Sequence, residues 1–161
     1  MYLSSEPETS SKASPNFPAK KILLAVDGSE NSTRAAKVGL VLAKQNGASV
    51  AILNVVPPLI VVPSRVGVDL GPYAENARIK AEDIVKRILE SAKREGLYEV
   101  ETLVESSSNS IVETIVQVAS SKKIDLIVIG TRGLGGFKRL LLGSVSSGVV
   151  THAFCNVLVV R

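Results

Sequence analysis

The stretch Lys21–Val56 reads KILLAVDGSENSTRAAKVGLVLAKQNGASVAILNVV, and it decides the fold. Its two ends, KILLAV (Lys21–Val26) and SVAILNVV (Ser49–Val56), are aliphatic runs without polar alternation. Runs of that kind suit parallel strands covered on both faces. Between them Ser29 is placed to cap a helix, and Asn46-Gly47 is placed to close it. Strand, helix and strand in that order make a parallel unit with a right-handed crossover.

Outward from this unit the alternation continues. Tyr73–Arg94 carries Ala77, Ala81, Ile84 and Ile88 on one stripe, which predicts an amphipathic helix. Its outer face offers Glu82–Lys86, Asp83–Arg87 and Glu90–Arg94, each with the acid four residues before the base. Tyr98–Glu105 sets Glu99, Glu101 and Glu105 on one parity and Val100, Thr102 and Val104 on the other, the pattern of a strand at a sheet edge. Ser110 and Glu113 form a capping box before IVETIVQVA. DLIVI (Asp125–Ile129) and NVLVV (Asn156–Val160) are the last strands, with a short helix from Ser144 to about His152 between them. The expected fold class is α/β: a doubly wound, five-stranded parallel sheet with helices on both faces, Rossmann-like.

Size and composition narrow the function. The 161 residues fit one domain, expected over residues 20–161, after a polar tail over residues 1–19 with five Ser, three Pro and no apolar periodicity. The tail lacks the basic start and apolar stretch of a signal peptide, and no apolar run is long enough to cross a bilayer, so a cytoplasmic protein is expected, without a membrane partner. Aromatics are 4% and Trp is absent, which argues against stacking on single-stranded nucleic acid. One cysteine (Cys155) and one histidine (His152) exclude an internal disulfide, a CxxC motif and HExxH. Both are read as packed structural side chains. The net charge of +4 is concentrated: Leu126–Arg161 holds Arg132, Lys138, Arg139 and Arg161 and no acid. A local positive segment on a neutral body points to a small anion site, with no nucleic-acid partner. Pro57–Pro72, with four Pro and two Gly, is the one long loop and is placed to act as a flap.

In open α/β sheets ligands bind at the carboxyl ends of the strands, where the order reverses. The first run ends in Asp27-Gly28-Ser29 and the fourth in Gly130-Thr131-Arg132-Gly133, neither being a Walker A loop or GxGxxG. Gly130 and Gly133 remove side-chain bulk, so backbone can approach a ligand. Gly143-Ser144 opens the last helix, where unpaired amides and the positive dipole end attract phosphate. Ser144, Ser146 and Ser147 add hydroxyls. A surface loop with an ordinary serine cap is the plainer alternative.

VDGSENSTRAA (Val26–Ala36), together with G-x2-G-x9-G-S at Gly130, Gly133, Gly143 and Ser144, resembles the universal stress protein family over about Lys20–Arg161. The second motif is similar to that of the family's ATP-binding branch. The resemblance implies strand order 3-2-1-4-5, adenine and ribose between the ends of strands one and four, and phosphates over the glycine loop. It implies that Ala25, Val26 and Asp27 line the adenosine pocket, with Asp27 on the ribose or metal side, and that Val55 lies against adenine. Ile129, Gly130, Arg132 and Gly133 match the phosphate turn; Gly143, Ser144, Val145 and Ser146 match the phosphate-capping helix start. Some ATP-binding members carry Pro-Thr before the aspartate and a His in the turn, where this chain has Ala25-Val26 and Arg132. Asp27 can equally close its own turn, and Val55 can be plain core.

The expected function is ATP binding, with Mg2+ held by the phosphates, in a regulatory dimer. Asn156–Val160 has no Lys, Glu or Pro to guard an apolar edge, so pairing with the same strand of a second copy is expected. The resemblance points the same way. A further regulatory protein partner is expected but not named by the sequence. A slow Mg-dependent ATP hydrolase and a nucleotide-free interaction dimer are the alternatives.

Overall fold

The computed structural model describes residues 19–58, 71–108, 110–133 and 142–161. The chain alternates β1 (Lys21–Ala25), α1 (Glu30–Asn46), β2 (Ser49–Val56), α2 (Gly71–Arg94), β3 (Val100–Ser106), α3 (Ile111–Ser121), β4 (Leu126–Gly130), α4 (Ser144–His152) and β5 (Asn156–Val160). All four strand pairings are parallel and the order is β3-β2-β1-β4-β5. The acidic third strand therefore sits at one edge and the aliphatic fifth strand at the other.

Successive side chains of a strand point to opposite faces, so each central strand feeds two cores. Ile22, Leu24, Ile52 and Val128 face α1 and α2; Leu23, Leu53, Ile127 and Ile129 face α3 and α4. This is why the central runs show no polar alternation. At the β3 edge Glu101 and Glu105 are exposed, but Leu103, on the same parity, packs into the second core.

Local chemistry sets the helix ends. The Ser29 hydroxyl accepts from the Ser32 amide at 3.1 Å, and Gly47 closes α1 at φ 60°, a left-handed conformation that glycine adopts without strain. The Ser110 hydroxyl accepts from the Glu113 amide at 3.4 Å. The ion pairs expected along α2 are rearranged. Glu82 pairs with Arg78 at 3.0 Å, Arg87 bonds the Asp83 carbonyl, and Arg94 bonds the Ser91 hydroxyl. On an exposed helix Glu82 has a base four residues to either side, and solvent leaves little energy to choose between them. Among the described residues no helix is long and apolar enough to cross a membrane.

Candidate functional site

The strand order reverses between β1 and β4, and the crevice above their carboxyl ends opens into a cavity of about 770 Å³. The structure brings all twelve expected residues to it. Ala25, Val26 and Asp27 line it where β1 ends, and Val55 where β2 ends. Ile129, Gly130, Arg132 and Gly133 line it where β4 ends, and Gly143, Ser144, Val145 and Ser146 where α4 begins. Residues 59–70, most of the expected flap, and residues 134–141 lie outside the described residues.

The start of α4 leaves its first amides without a side-chain cap. Gly143 is its N-cap, extended at φ −73° and ψ 161°, with no side-chain cap. The Gly143 amide donates to the Thr131 carbonyl at 2.7 Å, and the first intrahelical bond runs from the Ser147 amide to the Gly143 carbonyl at 2.9 Å. The amides of Ser144, Val145 and Ser146 thus have no intrahelical acceptor, and all three residues line the cavity. The positive end of the helix dipole adds to them.

Three expectations change at this level. The Ser146 hydroxyl, buried, donates to the Gly130 carbonyl, so it serves the fold rather than a ligand. Ser147 is not among the lining residues, which leaves Ser144 as the hydroxyl that the start of α4 offers to the cavity. The bare sides of the glycines also face protein. A Cβ on Gly130 would lie 2.8 Å from the Asn31 carbonyl carbon and 2.9 Å from the Ser32 amide nitrogen, and one on Gly133 would meet Asp27 Oδ2. These glycines let β4 and its turn close against α1 and Asp27; they meet the cavity through their backbone.

Asp27 Oδ1 accepts from the Ser29 amide at 3.0 Å, and the Asp27 amide donates to the Ser32 hydroxyl at 3.3 Å. The carboxylate therefore closes its own turn while lining the cavity. The Ser29 hydroxyl also donates to the Arg132 carbonyl at 3.4 Å, tying the α1 start to the β4 turn. Among the described lining residues Asp27 is the one acid, and Lys80 and Arg132 are the bases. Among the described residues no three His, Cys, Asp or Glu side chains gather as a metal site.

The sequence reading missed two walls. α2 contributes Ala77, Lys80, Ala81 and Ile84, and α3 contributes Ile111 and Ile115. The signal available for Lys80 was its spacing, three residues after Ala77 and four before Ile84 at the margin of the apolar stripe of α2. Asn54 was also missed: its buried amide donates to the Val26 carbonyl at 2.8 Å and clamps the ends of β1 and β2. Elsewhere, His152 is exposed and its Nδ1 meets the Gly148 carbonyl at 2.8 Å. It is not packed, because the final turn of α4 points it away from both cores. Cys155 is half-buried beside the second core, and burial pushes its thiol pKa up.

Comparison with known proteins follows the same outline. The model of the universal stress protein family matches residues 18–161. A chain of Staphylococcus haemolyticus named for these proteins is 38% identical over 143 residues, covering 88% of this chain and 84% of that one. The universal stress protein UspA from Lactobacillus plantarum superposes with a TM-score of 0.78 at 27% identity, over 89% of this chain and 98% of that chain. A universal stress protein from Archaeoglobus fulgidus, solved in complex with dAMP, shares the fold at a TM-score of 0.67 and 21% identity, covering 89% and 99%.

Proposed function

The chain belongs to the universal stress protein family, and on that premise we propose that it binds ATP in the β1–β4 cleft and works as a nucleotide-dependent regulatory homodimer. The observation that carries this reading is the bare start of α4. Three residues whose amides have no intrahelical acceptor line a cavity whose other walls are largely aliphatic. Phosphates suit the first feature and a purine suits the second. In this reading Ala25, Val26 and Val55 flank adenine, and Asp27 accepts from ribose hydroxyls. The Ile129, Gly130, Arg132 and Gly133 turn and the Ser144, Val145 and Ser146 amides, with Gly143 as the bare N-cap before them, hold the phosphates. A solved protein of the same fold holds dAMP, an adenine nucleotide.

A magnesium ion would ride on the phosphates and neutralise part of their charge. The donor set suits it: one carboxylate, Asp27, with a serine hydroxyl nearby, leaves Mg2+ most of its waters, which it gives up reluctantly. Efficient hydrolysis needs a group that orients the attacking water. Among the described lining residues the single acid is already engaged by the Ser29 amide and there is no histidine. That favours a binder over a hydrolase.

The dimer reading rests on β5. It is an edge strand, and Val157–Val160 are only half-buried. Pairing with a second copy would satisfy its outward amides and carbonyls and cover its aliphatic side chains. The same dimer is the form in which a regulatory protein partner would meet the nucleotide state.

The test is direct. Freshly purified protein, denatured and chromatographed, should release adenine nucleotide or, if isolated empty, should melt higher as ATP is added. At a hundredfold excess over Kd the gain is about 2.7 kcal/mol. No released nucleotide together with an ATP-independent melting temperature would overturn the reading. A dimer mass is expected by light scattering at micromolar concentration, and a monomer mass would remove the assembly part.

A further inference from the structure

Ala77, Lys80, Ala81 and Ile84 stand at i, i+3, i+4 and i+7, one face of α2, and all four line the cavity. Lower on the same helix Ala81, Val85, Ile88 and Ala92 are buried against the sheet. The face thus passes from core to cavity wall near Ala81, and the one charge on it stands just above that level. Ala77 and Ala81 are small, so the aliphatic stem of Lys80 can lie along the wall and carry its ammonium into the cleft.

Its height in the cleft follows from Ile84. A Cβ on Gly28 would lie 2.8 Å from Ile84 Cδ1, so that turn of α2 rests on the β1–α1 turn that carries Asp27. α2 runs back antiparallel to the strands, as a crossover helix must, which puts Lys80 one turn farther out, toward the mouth. Neighbouring Arg78 is held by Glu82 at 3.0 Å, and Lys80 has no carboxylate within ion-pair distance among the described residues. Arg132 and the α4 amides occupy the β4 side of the same cavity. The described lining thus carries one basic residue on the α2 wall and one on the β4 side, with the Asp27 carboxylate as its acid.

We propose that Lys80 sets the preference of this site for the number of phosphates, its ammonium reaching the outer phosphates of the nucleotide from the α2 wall. The inference rests on the nucleotide-binding reading above and adds a specificity residue to it. A lysine suits the task because its ammonium is a compact charge with three rotatable donors, which recognises charge rather than a fixed planar geometry. Each added phosphate brings negative charge closer to the mouth, so its attraction to Lys80 grows along AMP, ADP and ATP, while adenosine gains nothing.

The experiment is calorimetric titration of the full chain and of Lys80→Ala, Lys80→Gln and Lys80→Arg with adenosine, AMP, ADP and ATP. Lys80→Ala and Lys80→Gln should weaken ATP by about tenfold, ADP by less, and leave adenosine unchanged. Lys80→Arg should restore most of the ATP affinity, and added salt should weaken ATP binding more in the unaltered chain than in Lys80→Ala. An unchanged ATP affinity in Lys80→Ala, or an equal loss for adenosine and ATP, overturns the proposal and leaves the binding site standing. An unaltered chain that binds none of the four removes the nucleotide-binding reading and this proposal with it.

Discussion

The Ser146 hydroxyl donates to the Gly130 carbonyl at 2.6 Å, joining the first turn of α4 to the last residue of β4. Both groups are buried, so the bond fixes how α4 presents its amides to the cleft. Ser146→Ala leaves that carbonyl without its partner and should lower stability by about 1–3 kcal/mol. Ser144→Ala, at an exposed position, should shift stability by less than about 0.5 kcal/mol. Urea denaturation of the two variants separates them; equal losses would mean that the buried bond contributes nothing particular.

Gly130 and Gly96 are both glycines, with opposite surroundings. An added Cβ at Gly130 meets the Asn31–Ser32 backbone, whereas at Gly96 nothing lies within 4 Å and only φ of +81° is unfavourable. Gly96→Ala should cost about 1 kcal/mol through backbone strain. Gly130→Ala should cost more, about 2 kcal/mol or above, since backbone on both sides must shift. The reverse order in thermal melts would contradict the packing of α1 on β4.

Ser29 caps α1 and also bonds the Arg132 carbonyl, whereas Ser110 caps α3 alone. Each serine-to-alanine change should cost about 1 kcal/mol for the lost cap. With the cleft as the proposed ATP site, Ser29→Ala should in addition weaken ATP binding, because the turn that carries Arg132 loses its tie to α1. Ser110→Ala should leave ATP affinity unchanged. Titration of both variants checks this, and matching affinities would show that the tie does not position the turn.

Burial raises the Cys155 thiol pKa above that of a free thiol, with the nearby Asp125 charge acting in the same direction. The folded protein then keeps the thiol proton at pH values where the unfolded chain has lost it. The resulting stability is fully present below the unfolded pKa and is lost as pH rises from there through the folded pKa. Stability should fall between pH 8 and 10 more steeply in the natural chain than in Cys155→Ala. A disulfide reagent at pH 8 should also react more slowly with native than with urea-unfolded protein. A native rate equal to the unfolded one would contradict the burial.

How much was legible follows from the range of each signal. Runs such as Leu23-Leu24 and Ile127-Val128 declare double-sided burial within a few residues. Ser29, Gly47 and Ser110 declare helix ends through bonds no longer than one turn. That these twelve residues line one cavity was legible through motif resemblance and the rule that ligands sit at carboxyl ends of strands. Lys80 was not read, because its stripe looks like core until α2 is seen to overhang the cleft. Which base Glu82 would choose was open too, since two lie at equal spacing.

What the sequence alone determined is the alternation of elements and the chemistry at their ends, because hydrophobic period and capping act over a turn or a pair of strands. Only the tertiary structure decided what each group faces. Ser146 turns to Gly130 rather than to a ligand, the bare sides of Gly130 and Gly133 meet α1 and Asp27, and α2 completes the cavity with Lys80. Those pairings join residues far apart in the chain, and their distances follow from how the helices pack on the sheet, a quantity no local pattern encodes.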